Sequence, residues 1–381
     1  MMNTQSAHLT RAEINLDHLT HNMKVLQELV GPRPMWPAIK ANGYGHGMEI
    51  IARHLVKLGY KTLCVAHITE AIPLIKAGID ANILLLSATL PKHSKAIVQY
   101  GCEPVVCTFE MVEALASDAE KLGKQVNVHL MVDTGMGRIG IAPDDVVPFL
   151  ERCREYPTIV VRGVMSHFPC ADETNKAISL RQIEIFQRIK EMTSEFAIEV
   201  YHMANSAGIL DLPDSYFDVV RPGIAIYGLP PSKEIVNSRV HELKPVLTWK
   251  TQITFLKEVP SGIGLSYDHA FYTQLPSLIA TVPVGYGDGL SRNLTNNMQM
   301  LVQGVRCPQV GRITMDQSLL DVSQLRETVK QGDEVVIIGL QGREKITADE
   351  LAIRLGTINY EVVTSIAERV NRITAEPKIL S

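Results

Sequence analysis

Between residues 35 and 228, short β-branched apolar runs alternate with stretches of helical period, and no other feature constrains the fold as strongly. Parallel strands need a crossover of about a dozen residues or more, usually a helix, so this alternation predicts a parallel sheet covered by helices. The expected strands are 35–42, 62–68, 82–88, 103–108, 126–135, 159–167, 199–206 and 218–228. Helical stretches such as EIIARHLVKLG, ITEAIPLIKAG and TFEMVEALASDAEKLG close on a glycine, which suits the left-handed position after a helix. Eight such units predict a closed (β/α)8 barrel. An open doubly wound sheet is the competing topology, but it would carry a GxGxxG turn after its first strand, and none is present there.

After residue 240 the pattern changes. PVLTWKTQITFLKEV, LIATVPVGY, MQMLVQG and DEVVIIGL read as extended, with turn clusters PSGIG, LTNN and KQGD between them, which predicts a smaller, mostly β domain. One late helix is expected over ITADELAIRLG, with Thr347 as its N-cap. The α/β barrel is assigned to residues 11–240 and the β domain to 241–381, with residues 1–10 packing against the latter. At about 150 residues per domain a chain of 381 is expected to hold two or three domains, and the change of pattern near residue 240 makes it two.

Charge and cysteine usage then remove whole classes of partner. The net charge is −4 and no basic block occurs, so a nucleic-acid partner is not expected. Six cysteines are scattered without a CxxC pair, which argues against a zinc site and against a disulfide framework, and no metal is expected. The N-terminus lacks the apolar core of a signal peptide, and no apolar run approaches the roughly 18 residues that span a bilayer. The expectation is a cytoplasmic protein with no membrane partner.

Barrels gather their functional residues at the C-terminal ends of the strands. Those ends hold Lys40 followed by ANGYGHG, then Asp133 and Arg138, His167, Asn205 and Ser206, and Arg221 leading to Gly223. A lysine inside the apolar run MWPAIKAN is costly to bury charged, so its pKa should fall and its amine become a nucleophile. An isolated lysine usually just caps a strand in solvent. The glycines that follow Lys40, with Tyr44 and His46, set this one apart. Asn205–Gly208 and Arg221–Ile224 supply a hydroxyl and backbone N–H groups at the ends of the seventh and eighth strands, where barrels commonly bind phosphate. A strand-end lysine with a phosphate cradle suggests pyridoxal 5'-phosphate, whose aldehyde needs an amine.

Lys40–Gly47 resembles the pyridoxal-phosphate motif of alanine racemases, and VDTGMGRIG, ANSAGIL, VRPGIAIYG, SYDHAFY, VPVGYGDGLSR, VGRITMDQ and TINYEVVTSIAERV follow in that family's order. The resemblance runs from Ala12 to Arg372. It implies a TIM-type barrel, a C-terminal β domain, and a head-to-tail homodimer whose active sites draw on both subunits. The implied activity is interconversion of L-alanine and D-alanine by a pyridoxal-phosphate-dependent racemase with two bases, Lys40 and Tyr267 of the partner subunit. Racemisation needs both, because a planar carbanion loses a proton from one face and regains it on the other.

The same resemblance has His167 hydrogen-bond Tyr267 and has Arg221 join His167 to the ring nitrogen of the cofactor, where a permanent cation leaves that nitrogen unprotonated. Tyr44, Ser206, Gly223, Ile224 and Tyr360 match positions that hold the phosphate. Arg138 matches the residue that reaches the cofactor's phenolic oxygen and the substrate carboxylate, and Met315 a substrate-contacting position with Asp316 beside it. Tyr286, Arg292, Arg312 and Ile358 correspond to the entrance corridor. One position departs from the pattern. Many relatives carry a carbamylated lysine just before VDTGMGR, and this chain has Met131, which carries no charge, so a bound anion or water network is expected to hold Arg138 instead.

The competing readings are a racemase for serine or a broader set of amino acids, a fold-type-III decarboxylase, and a non-catalytic pyridoxal-phosphate carrier. The decarboxylases need a cysteine in a CESxD-like motif, which Cys307 in VRCPQVG does not match, and the carriers lack a β domain. A metal-dependent barrel hydrolase could recruit His129, His167 and His202, but its HxH pair on the first strand is missing.

Overall fold

The structure, a computed structural model, describes residues 9–375. The chain divides into two units: one holds Asp17–Gly43 and Met48–Lys244, the other Tyr44–Gly47, the described residues up to Leu16, and those from Pro245 on.

In the first unit six parallel strands follow one another in chain order: Thr62–Val65, Asn82–Leu85, Glu103–Val106, Val126–Met131, Ile159–Met165 and Val200–His202. Helices cover the sheet, among them Met48–Lys57, Ile68–Lys76, Phe109–Leu122 and Ala177–Met192, and the strands accordingly run nearly all apolar. Thr62–Val65 and Glu103–Val106 are buried at every position.

Two further segments close the ring. Trp36 and Ala38 donate their N–H groups to the carbonyls of Val220 and Pro222, both at 2.8 Å. On its other side the first segment exchanges bonds with the next strand, Ile39 N–H to Cys64 O at 2.8 Å and Cys64 N–H to Pro37 O at 2.9 Å. Asp218 and Arg221 donate to Tyr201 and Ala204, at 3.0 and 2.8 Å. Six strands and two closing segments make the eight-membered parallel barrel that the alternation predicts. The closing segments pair only at single bridges such as Met35–Val220 and Ala38–Cys64. Pro37 and Pro222 each lack an N–H, which keeps the ladder short.

The eighth expected strand, 218–228, is corrected beyond Pro222. Ile224–Tyr227 is a 3-10 turn, because the hydroxyl of Ser206 takes the N–H groups of Gly223 and Ala225 that a strand would have used. The expected first strand, 35–42, likewise ends at Ile39, where the backbone turns left-handed.

The second unit is built on a seven-stranded sheet. Its path runs Val305–Pro308, Gln299–Val302, Glu334–Gln341, Leu247–Gln252, Arg11–Ile14 and Asn371–Thr374, with Glu344–Ile346 paired to Glu334–Gln341 off that path. A three-stranded sheet, Ser318–Asp321, Ser277–Val282 and Phe255–Val259, accompanies it. Leu247–Gln252 alternates buried and half-buried residues, as a strand with one covered face must. Thr347 caps the helix Ala348–Leu355 as expected, its hydroxyl accepting the N–H of Glu350 at 3.0 Å.

Arg11–Ile14, counted with the barrel in the sequence, is a strand of this second unit. It lies antiparallel to Leu247–Gln252 and parallel to Asn371–Thr374. Ala12 and Ile14 are buried, which fixes the face the strand turns inward, while on the other face Glu13 pairs with Lys250 at 2.8 Å and Arg11 reaches Glu334, one strand further on, at 3.3 Å. Of the residues expected to pack on this domain, 1–8 lie outside the described range, and the Thr10 hydroxyl donates to Pro283 O at 2.6 Å. No helix among the described residues is long and apolar enough to cross a membrane.

Candidate active site

Lys40 follows directly on the last closing residue of the first barrel segment, and the next residues leave it by an unusual path. Ala41, Asn42, Gly43 and Tyr44 have φ of 52°, 53°, 64° and 50°, a left-handed turn in which three of the four carry a side chain. Each such residue costs roughly 1–2 kcal/mol, and strain of this kind persists where surrounding contacts over-determine it. The contacts are present. Gly43 N–H donates to Ile39 O at 2.8 Å, Asn42 Oδ1 accepts from Met48 N–H at 2.9 Å, and Glu70 accepts the N–H groups of Ala41 and Ala66, both at 2.7 Å. The turn aims Lys40 into a cavity of about 260 Å³ that Arg138, His167 and Arg221 also line, with Ser87, Met131 and Met165.

Burial, with the Arg138 cation next in weight, lowers the Lys40 amine below its ordinary 10.5, against a smaller opposing pull from Glu70. A lysine with a depressed pKa in a cavity is a nucleophile by the criterion applied to the sequence. His167 is pushed down to about 3 by burial, helped by Arg221, Arg138 and Lys40, so it is a neutral imidazole. Its Nδ1 faces Arg221 Nη2 at 3.5 Å. A guanidinium only donates, so the proton of His167 sits on Nε2.

Arg221 is 4% exposed and donates to Ser166 O at 2.8 Å and to His202 at both the carbonyl, 2.9 Å, and Nδ1, 2.7 Å. Burial draws it down to about 10, and it remains a cation at neutral pH.

Arg138 rides on the loop that follows Val126–Met131. Asp133 organises this loop, its carboxylate accepting the N–H groups of Gly135, Met136 and Gly137 at 2.8–3.1 Å. Gly140 returns the chain at φ 125°, and a Cβ there would stand 2.6 Å from the Asp133 nitrogen. Arg138 itself makes no hydrogen bond or ion pair among the described residues, and Met131 beside it in the cavity offers none.

A second group of expected residues lies together at the end of the barrel. Ser206 accepts the N–H groups of Gly223 at 2.8 Å and Ala225 at 3.2 Å, which leaves its own proton to donate. The N–H of Ile224, a buried residue, has no partner among the described residues. Ser206, at the start of the helix Ser206–Asp211, and Ile224, at the start of the 3-10 turn, thus offer two donors without an acceptor among the described residues.

The other expected residues belong to the second unit. The rings of Tyr44 and Tyr360 lie 6.2 Å apart. Gly45 packs so tightly that a Cβ would meet Val363 O at 1.9 Å, and Arg372 Nε donates to its carbonyl at 2.9 Å. Tyr267 is 70% exposed and stands between Ser266 and Asp268, both at positive φ, with Arg312 paired to Asp268 at 3.2 Å. Tyr286, Met315 and Ile358 are exposed, and Arg292 opens a short 3-10 turn.

Sequence reasoning missed two residues that organise these places. Glu70 anchors the Lys40 turn, and Arg369 ties Asp288 and Asp316, at 2.8 and 2.9 Å, to the Met315 carbonyl at 3.3 Å. Each is a charged residue of a helix start or a loop, and such residues look solvated in a sequence. His129 and His202, weighed as metal ligands, bond each other at 2.9 Å instead, and no group of three or more metal-ligating side chains exists among the described residues.

Comparison with known proteins agrees over nearly the whole chain. Residues 14–231 match the family model "Alanine racemase, N-terminal domain", and residues 246–374 match "Alanine racemase, C-terminal domain". An alanine racemase of Clostridium novyi is 40% identical over 365 residues, 95% of this chain and 94% of that protein. The solved alanine racemase of Clostridium difficile 630 superposes with a TM-score of 0.91 at 35% identity, covering 95% of this chain and 94% of that one. The alanine racemase of Bacillus anthracis, solved with bound L-Ala-P, gives 0.89 at 35% identity over the same shares.

Proposed function

The chain belongs to the alanine racemase family, and from that membership we infer the parts of its chemistry. It is an isomerase that interconverts L-alanine and D-alanine. Pyridoxal 5'-phosphate is the proposed cofactor, and the residues present suit it. Lys40 offers an amine with a lowered pKa, Ser206 and Ile224 offer two unspent donors for a phosphate, and Arg221 offers a buried cation. When bound, such a cofactor withdraws electrons from the substrate's Cα–H bond and makes that proton removable.

The residues would divide the work as follows. Lys40 holds the cofactor and exchanges a proton on one face of the substrate. Tyr267 of the partner subunit exchanges it on the other, which makes a head-to-tail homodimer the proposed working form, and its exposure and strained turn suit a side chain that acts outside its own fold. Arg221, a buried cation, would face the cofactor's ring and keep its nitrogen unprotonated, and neutral His167, next to Arg221, would relay between it and that tyrosine. Arg138 binds the substrate carboxylate, a role that suits a guanidinium with no partner among the described residues. Tyr44, Ser206, Gly223, Ile224 and Tyr360 hold the phosphate. Met315 and Asp316 contact the substrate side, and Tyr286, Arg292, Arg312 and Ile358 form the corridor. The cytoplasm is the proposed location.

The observation that carries this reading is the convergence of Lys40, Arg138, His167 and Arg221 on one cavity. The test is incubation of the purified protein with a panel of L-amino acids, with and without pyridoxal 5'-phosphate, following the D-enantiomers. Turnover of alanine dependent on the cofactor is expected. Failure with both alanine and serine would refute the activity, and turnover of larger substrates would measure the width of the corridor.

A further inference from the structure

Racemisation as derived above leaves several buried polar groups without a role, and three of them, His202, His129 and Glu103, form one chain through the barrel that ends on Arg221. Arg221 Nη1 donates to His202 Nδ1 at 2.7 Å, His202 Nε2 meets His129 Nδ1 at 2.9 Å, and His129 Nε2 meets Glu103 Oε2 at 3.0 Å. Both imidazoles are 0% exposed. The far end is secured by Arg162, which reaches the two oxygens of Glu103 at 2.8 and 2.9 Å and Glu199 at 2.9 Å.

The protons in this chain have one arrangement. A guanidinium cannot accept, so His202 Nδ1 carries a lone pair and the ring proton lies on Nε2. That N–H donates to His129 Nδ1, which must therefore be bare, and the His129 proton lies on Nε2 and donates to Glu103. A second proton on either ring would set two donors face to face or require an imidazolate. Every bond thus points from the arginine to the carboxylate.

The chain also answers an electrostatic question. Arg221 is a buried cation with no carboxylate in ion-pair contact among the described residues, an arrangement that costs several kcal/mol unless charge is supplied from elsewhere. The nearest link to a carboxylate along this chain is Glu103, at the opposite end of the barrel and joined to Arg221 through two polarised imidazoles. Trp36 fixes the planes of both rings edge-on, with centroids 5.7 Å from His129 and 5.1 Å from His202.

We propose that Glu103, His129 and His202 are positioning residues that hold Arg221 cationic and aimed at its ligand, so that a carboxylate at one end of the barrel controls the fidelity of the reaction at the other. This rests on the racemase reading. If Arg221 loses its bearing, the cofactor's ring nitrogen can take a proton, and more turnovers end in transamination, in which the substrate's amino group and two electrons stay on the cofactor and alanine leaves as pyruvate.

Two measurements on the full-length holoenzyme test the proposal. Ring-nitrogen NMR shifts of 15N-histidine-labelled protein are expected to show His129 and His202 both neutral with the proton on Nε2. A doubly protonated ring, or a proton on Nδ1 of either, would overturn it. In Glu103→Gln the ratio of pyruvate to D-alanine formed from L-alanine is expected to rise about tenfold, the scale of one hydrogen bond to a charged group, with KM little changed. Glu103→Asp, which keeps the charge, should bring the ratio back toward wild type. An unchanged ratio in Glu103→Gln would overturn the proposal. Should that variant not fold, His129→Phe, which keeps an aromatic ring but can neither receive from His202 nor donate to Glu103, is read by the same two outcomes. A wild-type protein without racemase activity would remove the functional reading and leave the tautomer result standing, so the two failures are distinguishable.

Discussion

Glu70 accepts the backbone N–H of Ala41 at 2.7 Å with one carboxylate oxygen while its other oxygen holds Ala66 at the same distance. The residue therefore ties the left-handed turn after Lys40 to the end of the neighbouring strand. Glu70→Ala removes the acceptor for two N–H groups and should destabilise the protein by about 1–3 kcal/mol. Because the lysine's aim depends on that turn, kcat/KM for alanine should fall at least tenfold, about 1.4 kcal/mol of transition-state stabilisation. Thermal unfolding together with steady-state kinetics checks both. Wild-type kinetics in a destabilised variant would show that the turn holds its shape without Glu70.

Lys40→Ala should lose the covalently bound cofactor and its absorbance, whereas Tyr267→Phe should keep both and lose racemisation. Mixing the two inactive variants under conditions of subunit exchange should restore activity. A heterodimer would contain one site with both Lys40 and Tyr267 intact. No recovery on mixing, with exchange verified by mass spectrometry, would argue that each site is built within one chain.

Arg138 has no hydrogen-bond or ion-pair partner among the described residues, and Met131, beside it in the cavity, cannot provide a charge. A small anion held beside Arg138 should then tighten carboxylate binding, so KM for alanine should fall at least threefold on replacing a bulky organic anion by about 0.1 M chloride at constant ionic strength. Met131→Lys, given bicarbonate, should reduce that dependence. A KM indifferent to chloride in the wild type would leave water as the partner of Arg138.

Three histidines are held neutral by burial: His167, pushed to about 3, and His129 and His202, both lowered from 6.5. Below pH 6.5 the unfolded chain binds protons that the native protein refuses, so stability rises with pH across the window from about 3 to 6.5 and is lost on acidification through it. Each contributes a slope of up to about 1.4 kcal/mol per pH unit. The Tm should be lower near pH 5.5 than near pH 7.5, and less so in His167→Asn. An equal pH response in that variant would mean His167 is not the group refusing the proton.

Much of the fold was readable because it repeats local signals: apolar strands, helices ending in glycine, and the Thr347 cap. The residues around Lys40, Arg138, His167 and Arg221 were readable because strand ends concentrate function. Three kinds of feature were not. The pairing of Arg11–Ile14 joins segments more than two hundred residues apart, and no local pattern reports such a partner. The left-handed backbone at Ala41 and Tyr44 falls on residues that do not advertise it, unlike Gly43. The partners of His129 and His202 come from other strands, so nothing local in the sequence marked their imidazoles as links between a carboxylate and an arginine.

That strand also orders events during synthesis. Arg11–Ile14 leaves the ribosome more than two hundred residues ahead of both its neighbours in the sheet, Leu247–Gln252 and Asn371–Thr374. The barrel likewise waits for Val220 and Pro222 before Trp36 and Ala38 find their acceptors. A nascent chain therefore carries Arg11–Ile14 as an unpaired strand edge until Leu247–Gln252 has been made, an exposed edge of the kind that chaperones shield.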